Sequence, residues 1–372
     1  MFFLDPDVTF LNHGSFGATP RPVMEVYQNW QREMEREPVD FFCRRSQNLI
    51  VEAKAPLCEF LGCQPENLAF VTNATTGTNI VAWSLALKAG DEVLLNDHEY
   101  GAVYRNFLYL SERFGFTLKV VPLPVPLESP EQVVEALFEA VTEATRVIVM
   151  SHITSPSALL LPVEQVIARA RERGILTLID GAHAPGHIDL HLEKLGADFY
   201  VGNLHKWLSA PKGAAVLYVD PRHHDKIQPL LVGWAYHPPV KSVEAHWIAL
   251  TQQVGTRDLS SFLSVPAALK FHQEYHNEPQ RAVFRQQIQE WLNAVAPDLP
   301  AAGYRCPLQI GAVMLPLDWN EDKLHNWLWE NQRIEVPVQR VGRRAYLRPS
   351  FNSYNRPEQL AQLSQALRQS GF

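Results

Sequence analysis

Ile175-Leu176-Thr177-Leu178-Ile179-Asp180-Gly181-Ala182-His183, followed downstream by Gly202-Asn203-Leu204-His205-Lys206-Trp207, is the part of this sequence that decides its fold. The first run is an aliphatic segment that ends in a carboxylate and a glycine, the pattern of a buried strand running into a turn. In open α/β sheets, ligands collect beyond the carboxyl ends of the strands, so Asp180 stands where a ligand-binding acid is expected. The second run follows another strand candidate, Phe199 to Val201, and leads through Pro211-Lys212-Gly213 into a third. Lys206 is a candidate amine nucleophile there. A lysine amine condenses with an aldehyde once its pKa falls, and a strand-end acid pairs with a protonated pyridine nitrogen, so the two residues complement one aldehyde cofactor. Taken singly, Asp180 reads as a turn cap and Lys206 as a solvated lysine.

Outward from this stretch, short β-branched runs alternate with longer helical ones, the signature of βαβ units around a mainly parallel sheet. Strands are expected at Glu92 to Leu95, Leu118 to Val121, Arg146 to Met150, Leu176 to Asp180, Phe199 to Val201 and Ala214 to Val219. Helices are expected at Asn79 to Leu87, Pro130 to Val141 and Pro162 to Glu172, the last stopping just before Gly174. Leu230 to Ser242, rich in Pro, Trp and Tyr, reads as an irregular loop. After residue 258 the character changes to long helices, Leu259 to Tyr275 and Gln280 to Val295, then short strands and a last helix at Glu358 to Ser370. The expected organisation is an N-terminal segment, 1–22, at the active-site mouth, a large domain, 23–258, and a smaller α+β domain, 259–372.

The 372 residues are 46% hydrophobic and 20% charged, the profile of a globular chain and not of a disordered one. A net charge of -7 disfavours a general nucleic-acid surface. Cys43, Cys58, Cys63 and Cys306 have no CxxC spacing, so neither a zinc site nor a disulfide framework is indicated, and a reducing compartment fits. Asp5 and Pro6 come too early for a signal peptide, and no apolar run reaches about 18 residues. A cytoplasmic protein without metal, membrane or nucleic-acid partner is expected.

Asn73-Ala74-Thr75-Thr76-Gly77-Thr78 follows the strand-like Ala69-Phe70-Val71 and opens a helix, which offers backbone N–H groups and hydroxyls to an anion; simple helix capping is the alternative. With these blocks in view, the chain resembles the class V aminotransferase family of fold-type I pyridoxal-phosphate (PLP) enzymes, in particular its isopenicillin N epimerase-like and cysteine lyase branches. The blocks run from Leu11-Asn12-His13-Gly14-Ser15-Phe16-Gly17 through Asp180-Gly181-Ala182-His183 and His205-Lys206-Trp207 to Gly255-Thr256-Arg257-Asp258 and Arg348-Pro349-Ser350.

The resemblance implies that PLP is held as a Schiff base on Lys206, with its ring nitrogen on Asp180 and its phosphate at Thr75, Thr76, Asn203 and His205. Tyr100 is implied to stack on the ring and His183 to pack on its other side. Ser155 is implied to lie near the phenolic oxygen, although Ala158 stands where relatives more often have Gly. Gly255 and Thr256 match a segment that reaches the phosphate of a neighbouring subunit, which implies a homodimer with shared sites. Arg348 matches the position that binds the substrate carboxylate, and Asn12 and His13 are candidates for the substrate mouth.

The implied substrate is an amino acid or a molecule containing one, which loses its Cα proton to give a quinonoid. Return of the proton to the opposite face gives epimerisation, loss of a β-substituent gives a C–S lyase, and delivery to the cofactor gives transamination. Cysteine desulfurases carry a mobile cysteine shortly before the arginine matched by Arg348, and Val336 to Leu347 has none, so persulfide chemistry is disfavoured. Cys306 reads as structural. A non-catalytic scaffold would lack Lys206 or Asp180, and a nucleotide-binding dehydrogenase would need a Gly-rich strand-to-helix turn that the sequence does not contain.

Overall fold

A computed structural model describes residues 1–236, 244–304 and 307–370. The strands, in chain order, are β1 Thr9–Phe10, β2 Leu68–Val71, β3 Glu92–Asn96, β4 Thr117–Val121, β5 Thr145–Ser151, β6 Leu176–Asp180, β7 Phe199–Asn203, β8 Ala215–Val219, β9 Val313–Met314, β10 Ile334–Glu335, β11 Val338–Val341 and β12 Arg344–Leu347. Seven of them form one sheet in the order β2-β8-β7-β6-β5-β3-β4. Its pairings from β7 to β4 are parallel, and β8 runs antiparallel to both of its neighbours.

Period-two alternation splits the strand residues between two cores. Ile148 and Met150 of β5, Ile179 of β6 and Tyr200 of β7 enter one, under the helices Arg21–Arg36, Ser46–Leu61, Pro130–Glu139, Val163–Glu172 and Val265–Tyr275. Val147 and Val149, Leu178, Phe199 and Val201 enter the other, under Ala74–Ser84, Gly101–Phe114 and His246–Gln252. The fold is therefore α/β with a mainly parallel sheet covered on both faces, which explains why its strands read as continuous apolar runs.

A third core joins Leu11 to Ile288, Trp291, Leu324, Leu328, Leu347, Leu360 and Leu363 around the antiparallel sheet β11-β12-β9. β1 pairs in parallel with β10, so the N-terminal segment is hydrogen-bonded to this C-terminal unit. The boundary expected at residue 258 precedes the helices Ser260–Leu263 and Val265–Tyr275, whose Phe262, Leu263, Val265 and Leu269 pack into the first core of the large sheet. On that packing we propose that the C-terminal unit begins with the helix Glu278–Val295. No helix among the described residues is long and apolar enough to cross a membrane.

One local expectation is corrected, and another is only partly covered by the described residues. The helix expected at Asn79 to Leu87 spans Ala74–Ser84, because Asn73 caps it by accepting the Thr76 N–H at 2.8 Å. Of the loop expected at Leu230 to Ser242, residues 237–242 lie outside the described residues, as does Cys306; Trp234–Tyr236 form a single 3-10 turn.

Gly181, just past β6, sits against the fully buried Tyr200 ring: a Cβ there would lie 2.1 Å from its hydroxyl oxygen. Gly181→Ala is expected to cost about 2–3 kcal/mol of stability, read as a lower urea midpoint at unchanged slope.

Candidate active site

The alternation that fills the two cores also builds the site. Ser151, Asp180 and Asn203 end β5, β6 and β7, and each keeps the parity of the residues facing the helix Ala74–Ser84. Ser151 pairs with Asp180 and Asp180 with Val201, so Ser151 and Asp180 stand abreast and Asn203 lies two residues further along the same carboxyl edge. They line a cavity of ≈ 360 Å³ together with Thr72, Asn73, Ala74, Thr75, Tyr100, Ser155, His183, His205 and Lys206.

Asp180 is buried, and burial raises its pKa; Lys206 and the Ala182 N–H, which donates to Oδ1 at 2.9 Å, oppose the rise. Lys206 is equally buried. Its pKa falls to about 7 through burial and the charge of Arg348, with Asp180 acting the other way, so a substantial fraction is free amine at neutral pH. The Lys206 Nζ lies 3.1 Å from His183 Nε2.

The helix start forms the opposite wall. Thr75 faces the cavity, whereas Thr76 Oγ1 is turned back to donate to Asn73 Oδ1 at 3.0 Å. Asn203 Oδ1 accepts the Ala74 N–H at 2.9 Å and so ties β7 to the first helical turn. His205 carries a buried Nδ1 with no hydrogen-bond partner, and burial with Lys206 beside it lowers its pKa to about 4. A helix N-terminus, a hydroxyl and an unpartnered imidazole nitrogen suit an anionic oxygen group. Asp180 at the other end suits a ring N–H cation, and Lys206 suits an aldehyde. The residues present therefore fit a pyridoxal phosphate.

The remaining residues singled out in the sequence fall into three groups. Tyr100 is at the cavity wall, half exposed, just before the helix Gly101–Phe114. Ser155 is at the wall too, in a turn where Ala158 adopts φ +54°, a left-handed conformation that costs a non-glycine residue about 1–2 kcal/mol. Arg348 is one layer behind: it donates to the Ser155 carbonyl, and at 3.2 Å to Ser15 Oγ, and its Nε has no partner. Asn12 and His13 do not line the cavity; Asn12 Nδ2 donates to Glu335 at 2.8 Å, and His13 Nε2 donates to the Lys206 carbonyl at 2.9 Å. Gly255 and Thr256 are exposed and apart from this chain's own cavity.

Wall residues that went unassigned in the sequence include Ser15, Phe16 and Lys212. Ser15 and Phe16 reach the cavity because the loop after them lies flat on the lysine strand-end; a Cβ on Gly17 would meet the His205 carbonyl oxygen at 2.0 Å. Lys212, in the turn after Lys206, donates to the Gly17 carbonyl at 3.0 Å. Behind the wall, Glu99 accepts the Ser151 N–H at 2.8 Å and the Ser151 hydroxyl at 2.6 Å, and burial pushes its pKa up to about 8. Sequence spacing alone signals none of these, since each depends on contacts between distant segments.

Known proteins agree with this geometry. The aminotransferase class-V family model matches residues 17–297. The isopenicillin N epimerase of Streptomyces clavuligerus is 34% identical, over 98% of this chain and 95% of its own length. A probable chloroplastic L-cysteine desulfhydrase of Arabidopsis thaliana is 27% identical, over 98% and 83%. Among solved structures, the cystine C–S lyase C-DES in complex with its product cysteine persulfide superposes with a TM-score of 0.84 at 23% identity, covering 99% of this chain and 98% of that one. A fold-type I architecture, a site whose residues fit pyridoxal phosphate and a family match over most of the chain lead to one conclusion: this chain belongs to the aminotransferase class-V family of PLP-dependent enzymes.

Proposed function

We propose that this enzyme removes the Cα proton of an amino acid, or of a substrate containing one, and returns a proton to the same carbon with inversion, as an isopenicillin N epimerase-like epimerase. The observation that carries the reading is the convergence of a buried carboxylate and a buried, part-neutral lysine in one cavity with an anion seat opposite. It is supported by the likeness to the Streptomyces epimerase along nearly the whole chain.

Bound PLP supplies an electron sink for the pair left at Cα. Lys206 would hold it through Nζ and, displaced by the substrate amine, take up the Cα proton. Asp180 would keep the ring nitrogen protonated. Thr75, Asn203 and His205 would hold the phosphate, with Thr76 stiffening the turn beneath it, and Tyr100 would cover the ring. The substrate carboxylate would meet Ser15 and Ser155 with the charge of Arg348 directly behind them.

A second reading, β-elimination from a cysteine-type substrate, is favoured by the likeness to the Arabidopsis desulfhydrase over 98% of this chain. We also propose a cytoplasmic homodimer. Free thiols at Cys43, Cys58 and Cys63 support a reducing compartment. The exposed aromatics Tyr100, Tyr104 and Tyr109, with Gly255 and Thr256 exposed away from their own cavity, support a second copy that completes the site.

The purified protein is expected to show a band near the visible edge that borohydride abolishes and that Lys206→Ala lacks; no such band after addition of PLP sinks the reading. In deuterated water, a panel of L-amino acids separates the branches: deuterated D-isomer for an epimerase, pyruvate and sulfide for a lyase, keto acid for a transaminase. Asp180→Asn is expected to keep the borohydride-sensitive band while kcat falls by roughly 10²–10³. Light scattering is expected to give twice the chain mass.

A further inference from the structure

Behind Lys206 lies a group of buried histidines whose ring protons are dictated by their neighbours. His13 donates from Nε2 to the Lys206 carbonyl and accepts the Tyr354 hydroxyl at Nδ1, 3.0 Å away. His187 donates from Nδ1 to the His183 carbonyl at 3.1 Å and accepts the Gln309 N–H at Nε2, 2.9 Å away. Burial lowers both pKa values to about 3, so both rings are neutral. His183 is the third. Its Nδ1 receives the indole N–H of Trp207 at 3.3 Å, and its Nε2 faces Lys206 Nζ.

An indole nitrogen only donates, so His183 Nδ1 must present a lone pair. A neutral imidazole with its lone pair at Nδ1 carries its proton on Nε2. That N–H points at Nζ, which accepts it only as a free amine. An ammonium in the same place would meet a ring with no lone pair to offer, and Nζ has no other hydrogen-bond partner among the described residues.

The indole is not free to swing away. It stacks on the His187 ring with centroids 3.9 Å apart and packs, fully buried, among Ile153, Leu308 and Ile310. Gly186, at φ +80°, permits this approach, since a Cβ there would lie 2.7 Å from the Leu208 nitrogen and 2.8 Å from the Trp207 carbonyl carbon. The titratable and charged groups facing His183, namely Lys206, Arg348, His187 and His205, all disfavour a cationic ring. Around Lys206, burial and Arg348 oppose the ammonium and Asp180 alone favours it.

We propose that Trp207 is a positioning residue: its indole N–H fixes His183 as the Nε2–H tautomer, so that His183 donates to Lys206 and holds Nζ as the free amine that condenses with an aldehyde or takes up a proton. The role of that amine rests on the functional reading above, while the tautomer does not depend on it.

The first measurement uses the wild-type apoprotein labelled with ¹⁵N-histidine. Long-range ¹H–¹⁵N correlations read each ring's tautomer, and His183→Gln identifies the His183 signals by their disappearance. A protonated Nε2 with a bare Nδ1 is expected at about pH 7; a His183 protonated at Nδ1 overturns the proposal without recourse to any variant.

The second measurement follows PLP capture by the apoprotein across pH, a step in which the amine adds to the aldehyde and water leaves. The rate tracks the free-amine fraction, so its midpoint reports the Lys206 pKa. Trp207→Phe keeps a ring on His187 but removes the N–H, which frees His183 to accept from an ammonium. The midpoint is expected to rise by about one pH unit, a tenfold slower capture below both midpoints, with the high-pH plateau unchanged. A purely structural role would lower the plateau and leave the midpoint in place, and that result overturns the proposal. Failure of the wild type to capture PLP at any pH rejects the functional reading, and the tautomer measurement then still decides this one.

Discussion

Ser151 and Asp180 are held side by side, with Asn203 two residues further along the same edge, because β5, β6 and β7 run parallel in a register that pairs Ser151 with Asp180 and Asp180 with Val201. A sheet covered on both faces leaves a carboxylate at its edge largely buried, and an unpaired buried charge is costly. Much of the surrounding structure answers that cost. The Ala182 N–H turns back onto Asp180, and Lys206, in its protonated fraction, lowers the cost of the carboxylate. A second acid beneath it, Glu99, takes its donors from Ser151 and Asn96 and remains apart from Asp180's hydrogen bonds.

The same burial acts oppositely on the bases. Lys206, His183 and His205 all lose proton affinity, so the cavity combines an acid that is harder to ionise with an amine that is easier to deprotonate. Arg348 shapes this balance from behind the wall. Its guanidinium contacts Ser15 and Ser155, yet its charge is felt at both Lys206 and His183.

The central sheet was legible because its inner strands, buried on both faces, are nearly uninterrupted aliphatic runs, and because Asp180 ends one of them and Lys206 comes three residues after another. Boundaries were legible only where local chemistry sets them. The start of the helix Ala74–Ser84 depends on the Asn73 side chain, and an eye on apolar spacing alone finds it five residues late. The helix Val265–Tyr275 packs into the first core of the large sheet, and its sequence carries no signal for which of two cores will take its apolar face. His183 lay next to a recognisable acid, but its partners Trp207 and Lys206 come from another strand-end, so its hydrogen bonds could not be read from spacing. Ser15, Phe16 and Glu99 were invisible for the same reason.

β1 is hydrogen-bonded to β10, and Leu11 sits in the C-terminal core, yet a few residues later the same segment lies flat on His205 and Lys206, with His13 bonded to the lysine's own carbonyl. The N-terminal segment is thus a short mechanical linkage between the C-terminal unit and the lysine. A rotation of that unit would pull on Ser15 and Phe16 at the cavity wall and on the Lys206 backbone at once, which would make the position of the chain's far end a variable in the geometry of the proposed catalytic amine.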